Sequence, residues 1–229
     1  MRKIIKVIIP AFNEENGIGK VIDDIPSDLV DEIIVVNNAC TDATEMIALK
    51  LGATVLREST PGYGRACLKG IDYLKGSIPP TDIVVFLDAD RSDYPEQMDT
   101  LVKPIIDGVA DLVIGSRALG RREKGSMTIQ QLFGNWLATR LLWMLYNARF
   151  TDLGPFRAIK FSSLLELDMQ DKTYGWTVEM QLKAARKNFR CVEVPVSYRK
   201  RIGFSKISGT LKGTLMAGYK IIATILRYL

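Results

Sequence analysis

The chain has 229 residues, 47% of them apolar and 25% charged, with a net charge of +5 and no histidine. That is the make-up of an ordinary globular protein of one large or two small domains. The missing histidine excludes a Ser-His-Asp triad, a histidine metal site and a histidine general base. A bound metal must then take oxygen ligands, which favours Mg²⁺ or Mn²⁺ over Zn²⁺. Three scattered cysteines, Cys40, Cys67 and Cys191, give neither a zinc spacing nor a disulfide framework and point to a reducing cytosol. Met1-Arg2-Lys3 leads straight into a strand-like run, with no secretory signal.

The first half alternates strand and helix. Ile4 to Ile9 reads as an apolar strand ended by Pro10, with a helix through Gly19-Lys20-Val21-Ile22. Glu32 to Val36 is the next strand, followed by a helix from Thr41-Asp42 to Leu51 that Thr41 can cap. Ala53 to Leu56 is a short strand, and Tyr63 to Leu74 a helix after a glycine-rich turn. Ile83 to Leu87 is a fully apolar strand, Pro95 opens a helix as proline in a first turn does, and Asp111 to Gly115 is a strand again. Such alternation predicts an α/β fold with a mainly parallel sheet covered on both faces.

The second half differs. Residues 117–127 are polar and basic and read as a mobile loop; Thr128 to Tyr146 is a long helix carrying Trp136 and Trp143, apolar nearly all round. Thr151 to Pro155 is a loop, Phe156 to Ile159 a strand, and Ser162–Leu167 and Val178–Lys187 are helices. Cys191 to Tyr198 is a strand interrupted by Pro195, and Thr210 to Leu229 a terminal helix with Leu215, Ile222 and Leu229 on one face and Lys220 and Arg227 opposite. Both apolar helices fit either a buried core or contact with a membrane surface. With no repeat or linker, one core serves the whole chain.

Asp88-Ala89-Asp90 is the most informative feature. Two carboxylates emerge where a buried strand stops, and ligands of open α/β sheets bind outside the carboxyl ends of the strands. The pair suits Mg²⁺ or Mn²⁺ shared with substrate phosphates; a solvated pair opening a turn is the plainer alternative. Charge is also localised. From Lys183 to Lys212 nine Lys or Arg face a single acid, Glu193, and Arg117, Arg121, Arg122 and Lys124 form a second cluster. Such patches fit phosphates or anionic lipid, or plain solvated surface; without interleaved aromatics they do not fit nucleic acid.

Taken in order, Val7-Ile8-Ile9-Pro10-Ala11-Phe12-Asn13-Glu14-Glu15, Val35 to Asp42, Pro61-Gly62-Tyr63-Gly64-Arg65 and Asp88-Ala89-Asp90 resemble the family 2 glycosyltransferases of the GT-A fold. The likeness runs over nearly the whole chain. It is nearest to the branch that makes polyprenyl- or dolichyl-phosphate mannose and glucose, as Gly115-Ser116-Arg117, Thr151 to Ala158 and Gly203-Phe204-Ser205-Lys206 also suggest. The resemblance implies one catalytic domain over 1–229, with a nucleotide-sugar half (1–116) and an acceptor half (117–229). It implies nucleotide-sugar contacts from Pro10, Ala11, Phe12, Glu14, Asn38, Gly62, Tyr63, Gly64, Arg65, Asp88 and Ala89, and a metal on Asp88 and Asp90. Acceptor or phosphate contacts would come from Arg117, Arg122, Ser126, Lys200, Arg201, Ser205 and Lys206. Departures are Asn37-Asn38 in place of an acidic pair, Ser92 where a further metal ligand often stands, and Lys200 in place of an arginine.

The implied reaction is inverting transfer of a hexose from a UDP- or GDP-sugar to a polyprenyl phosphate, at the cytosolic face of a membrane. A lipid phosphate is ionised at neutral pH and needs no general base. An alcohol acceptor would need one, and Asp152 and Glu179 are the candidates. A soluble transferase acting on an alcohol, and a sugar-nucleotide-binding protein without turnover, are the alternatives.

Overall fold

A computed structural model describes residues 2–203 and 211–228. Ser205 and Lys206 lie outside the described residues. Seven strands form one sheet: β1 (Ile5–Ala11), β2 (Glu32–Asn38), β3 (Thr54–Glu58), β4 (Ile83–Phe86), β5 (Leu112–Ser116), β6 (Arg157–Lys160) and β7 (Cys191–Pro195). Their order is β3-β2-β1-β4-β6-β5-β7, and all pairings are parallel except those of β6, which runs antiparallel to β4 and β5. Every residue of β1, β4 and β5 is buried, as expected of strands covered on both faces.

The chain winds outward from β1 to β2 and β3, then returns to place β4 on the other side of β1. This reversal is a topological switch point and leaves a crevice beyond the carboxyl ends of β1 and β4. On one face lie α1 (Ile18–Asp23), α2 (Thr44–Lys50) and α4 (Met98–Ile106), packed through Ile18, Val21, Ala48, Leu101 and Val102. On the other lie α3 (Tyr63–Leu74), α6 (Phe161–Leu167) and α7 (Trp176–Arg186), packed through Cys67, Ile71, Leu164, Trp176 and Met180. A third cluster joins α5 (Ile129–Tyr146), α7 and α8 (Leu211–Arg227) through Ala138, Leu142, Val178, Leu182 and Ile225.

The structure departs from the sequence reading in three places that matter to the site. First, β1 does not stop at Pro10 but continues through Ala11 beside β2. Alternate residues of a strand point their backbone groups to opposite neighbours, and Ile8 accepts from Leu87 on the β4 side. Pro10 points the same way, past the last β4 pairing, so its missing N–H leaves no ladder bond unmade and the crevice begins there. Second, α2 begins at Thr44, not Thr41. The Asp42 carboxylate accepts the Thr44 N–H at 3.0 Å, while the Thr41 N–H goes to the Asn13 side chain at 2.7 Å. Third, the 117–127 segment is tied down rather than loose: Tyr198 donates to the Arg121 carbonyl at 2.9 Å and accepts from the Glu123 N–H at 2.8 Å.

Candidate active site

A cavity of about 270 Å³ opens at the switch point, lined by Pro10, Ala11, Phe12, Glu14, Asn38, Pro61, Gly62, Tyr63, Asp88, Ala89, Asp90, Tyr174 and Arg201. The ends of β1, β2 and β4 and the turn before α3 thus bring together nearly all the residues expected on the donor side. Gly64 and Arg65 do not line the cavity.

Asp90 is buried and held from two sides. Its Oδ1 accepts the Ser92 N–H at 2.8 Å and the Ser92 hydroxyl at 2.5 Å, and its Oδ2 pairs with the Arg201 guanidinium at 2.9 Å. Arg201 also reaches Glu14 at 3.3 Å. Ser92, the position of the expected extra metal ligand, is fully buried and spends its hydroxyl on orienting Asp90. Asp88 accepts from the Tyr63 hydroxyl at 3.1 Å. Burial, reinforced by the charge of Asp90, pushes the Asp88 carboxyl up to about 7, and burial beside Asp88 also raises the Tyr63 phenol, which stays a donor.

These carboxylates fit a divalent ion carried in with a diphosphate. Among the described residues no third His, Cys, Asp or Glu joins them to complete a protein-only metal cluster. Mg²⁺ is ordinarily held by one or two carboxylates, with substrate phosphates and waters completing the octahedron. Arg201 against Asp90 also shows that this corner accommodates positive charge.

Asn38 lines the cavity but commits its amide to the backbone. It donates to the carbonyls of Glu58 (3.2 Å) and Thr60 (2.8 Å) and accepts the Gly62 N–H at 2.7 Å. It therefore fixes the glycine-rich turn to the end of β2. Asn37 likewise binds the Cys40 N–H and Glu45. Asn38→Ala is expected to lower stability by about 1–3 kcal/mol, the cost of orphaned buried backbone groups, and to weaken nucleotide binding in an equilibrium titration.

The acceptor-side expectations are met differently. Arg117 and Asp152, expected to hold phosphate and to act as base, hold each other. The Arg117 Nε and Nη2 donate to the two Asp152 oxygens at 2.8 and 2.6 Å, and the Arg117 backbone N–H adds a third bond at 2.7 Å. Asp152 is 1% exposed. Burial alone would lower the Arg117 pKa, but the Asp152 charge outweighs it and the pKa is raised. The Arg117 guanidinium also lies 5.0 Å from the centre of the Tyr198 ring. Glu179 is as fully engaged: it accepts the N–H groups of Gln170 and Asp171 at 3.0 and 2.7 Å and the Tyr228 hydroxyl at 2.8 Å, and pairs with Lys183 at 2.7 Å. Neither carboxylate lines the cavity. Arg122 is exposed, and Lys200, 60% exposed, sits 4.0 Å from Glu123 beside Arg201 at the rim; Ser126 is half-buried with its hydroxyl unpartnered among the described residues.

Residues 6–167 match the Glycosyl transferase family 2 model, which is more than half of the chain. The chain belongs to glycosyltransferase family 2. An uncharacterised glycosyltransferase of Mycobacterium tuberculosis is 34% identical over 217 residues, covering 93% of this chain and 94% of its own. The undecaprenyl-phosphate mannosyltransferase of Micrococcus luteus is 30% identical over 221 residues, covering 90% and 88%. Glucosyl-3-phosphoglycerate synthase of M. tuberculosis, in complex with Mn²⁺, UDP and glucosyl-3-phosphoglycerate, superposes with a TM-score of 0.76 at 26% identity, covering 98% of this chain and 79% of that one. The expected GT-A architecture is thereby borne out, and the protein is a family 2 hexosyltransferase.

Three residues of this family 2 enzyme escaped the sequence reading. Tyr174, from the loop before α7, closes one wall of the cavity. Arg157 is fully buried and donates to the carbonyls of Leu153, Gly154 and Thr177, anchoring the loop that carries Asp152; burial pushes it down to about 10. Asp93 is 1% exposed with neither carboxylate oxygen partnered among the described residues, and burial raises its pKa well above the usual range. An internal charge next to a motif was the available signal for Asp93 and Arg157; nothing local marks Tyr174.

Proposed function

We propose that this hexosyltransferase moves a hexose, with inversion, from a nucleoside-diphosphate sugar to a polyprenyl phosphate at a membrane surface. The observation that carries the acceptor choice is the mutual engagement of Arg117 and Asp152. With Asp152 buried in a bidentate pair, Glu179 occupied by backbone amides and no histidine in the chain, both candidate bases are engaged, which favours an acceptor that arrives already ionised. A phosphate does so at neutral pH, its second pKa being near 6. The 30%-identical undecaprenyl-phosphate mannosyltransferase supports the same choice.

The nucleoside fits between Pro10, Phe12 and the Gly62-Tyr63 turn, with the diphosphate directed toward Asp88, Asp90 and Arg201. Mg²⁺ or Mn²⁺ on the two aspartates supplies Lewis-acid stabilisation of the leaving diphosphate. Ser92 holds Asp90 in place, Tyr63 orients Asp88, and Arg201 supplies fixed positive charge where negative charge develops. The acceptor phosphate oxygen forms its bond to the anomeric carbon as the bond from that carbon to the diphosphate breaks. The products are hexosyl phospholipid and nucleoside diphosphate, and no proton need be removed. The likeness to glucosyl-3-phosphoglycerate synthase favours a second reading, a phosphorylated acceptor attacking through a hydroxyl. Incubation with UDP- and GDP-sugars, a divalent ion and either a short polyprenyl phosphate or 3-phosphoglycerate separates the two.

No helix among the described residues is long and apolar enough to cross a membrane. Attachment is assigned instead to the outer face of α5. Ile129, Phe133, Trp136 and Met144 fall on one stripe at helical spacing and are all more than half exposed, while Ala138 and Leu142 on the opposite side are buried. Arg140 lies on the same stripe with its guanidinium 4.1 Å from the Trp143 ring centre, and α8, which packs on α5, exposes Met216, Tyr219 and Leu226. Basic residues beside such a surface add about 1 kcal/mol each toward anionic lipid. The wild-type protein is expected to float with anionic liposomes at low salt. Phe133→Ser with Trp136→Ser should weaken binding at least ~10-fold, from the lost burial of two aromatic side chains.

A further inference from the structure

Residues 170–175 form a strap between the donor cavity and α8. On its α8 side, the Asp171 Oδ1 accepts the N–H groups of Thr173 (2.7 Å) and Gly175 (3.2 Å), while its Oδ2 pairs with Lys220 of α8 at 3.1 Å. On its cavity side, the carbonyls of Thr173 and Lys172 accept the N–H groups of Gly64 (3.3 Å) and Arg65 (3.1 Å). Those donors belong to the first turn of α3, where helix N–H groups have no partner within the helix and where no side chain caps this one. The strap therefore supplies the cap.

The fit allows little slack. A Cβ at Gly64 would stand 2.0 Å from the Asp171 carbonyl oxygen, one at Gly62 2.4 Å from that of Lys172, and one at Gly175 2.4 Å from the Thr224 hydroxyl of α8. Glycine is thus required on both sides of the strap, and Tyr174 projects from its middle into the cavity wall. Asp171 thus connects Lys220 of α8 to the strap that packs on Gly62 and Gly64.

We propose that Asp171 is a positioning residue for the donor and that its ion pair with Lys220 couples the seating of α8 to the affinity for the nucleotide sugar. The donor part rests on the function proposed above; the mechanical coupling does not. The Lys220–Asp171 pair is the place to break it, because Lys220 is 38% exposed and stands at an open pocket that it shares with Asp171, Glu179 and Tyr228.

The test combines hydrogen exchange of residues 61–66 in the nucleotide-free protein with UDP and GDP titrations in Mn²⁺ and with steady-state kinetics. Lys220→Met and Asp171→Asn should accelerate exchange at 61–66 while β1 and β4 keep their protection. The donor Kd and KM should rise about 3- to 30-fold, the span of coupling effects from residues outside a ligand contact, with kcat and the acceptor KM unchanged. Lys220→Arg should restore both readouts. Unchanged exchange at 61–66 in both variants, or exchange accelerated equally in β1 and β4, overturns the inference. Accelerated exchange in a protein whose wild type binds neither nucleotide leaves the coupling standing and overturns the donor assignment.

Discussion

Asp90→Asn is expected to lower turnover by about 10³-fold, since a metal on the leaving diphosphate is worth several kcal/mol and each 1.36 kcal/mol is tenfold. The asparagine keeps the oxygen that Ser92 holds, and Arg201, 30% exposed, keeps Glu14 as a partner, so the melting temperature should stay within a few degrees of wild type. Chelation by EDTA should produce the same loss in the wild type, reversed by Mn²⁺ or Mg²⁺, and should have little further effect on the variant. Comparing label transfer with and without chelator in both proteins measures this. An Asp90→Asn enzyme that retains turnover and remains sensitive to EDTA would place the metal elsewhere.

Asp152→Ala is expected to destabilise the fold by about 3–5 kcal/mol, because it leaves the buried Arg117 charge uncompensated. In a domain of this size that corresponds to roughly 10 °C in melting temperature. Arg117→Met combined with Asp152→Leu should recover much of the loss, since a buried ion pair replaced on both sides by apolar groups is often neutral. Urea titrations of Asp152→Ala and of the double variant check both statements. Asp152→Asn carries the functional half of the argument. Turnover per folded molecule should stay within a few fold of wild type, whereas removal of a general base costs about 10²–10⁴-fold.

The donor half of the site was legible because its residues are short-range signals. Pro10-Ala11-Phe12 ends a strand, Asp88-Ala89-Asp90 and Pro61-Gly62-Tyr63 come just after one, and the sheet order needs only bring the strand ends together. The acceptor half was less legible for a physical reason. A carboxylate in a loop looks the same in sequence whether it faces a substrate or a guanidinium, and only the pairing of β5 with β6 sets Arg117 against Asp152. Glu179 posed the same problem: its partners are backbone amides of the preceding loop, Lys183 one turn on, and Tyr228 just after α8. The α5 helix posed the opposite problem. With apolar residues on both sides its periodicity could not separate core from surface, and the structure divides it into a buried face at Ala138 and Leu142 and an exposed one at Phe133 and Trp136. The strap at 170–175 meets the cavity turn through carbonyl groups, which every residue has, so no side-chain pattern announces that contact.

The most direct test of the central claim is transfer of labelled hexose from UDP- and GDP-sugars, with Mn²⁺, to a short polyprenyl phosphate and to 3-phosphoglycerate in parallel. Wild type and Asp152→Asn should form a lipid-linked, acid-labile hexosyl phosphate, and Asp90→Asn should not. Label appearing only on the hydroxyl acceptor, and disappearing with Asp152→Asn, would contradict it.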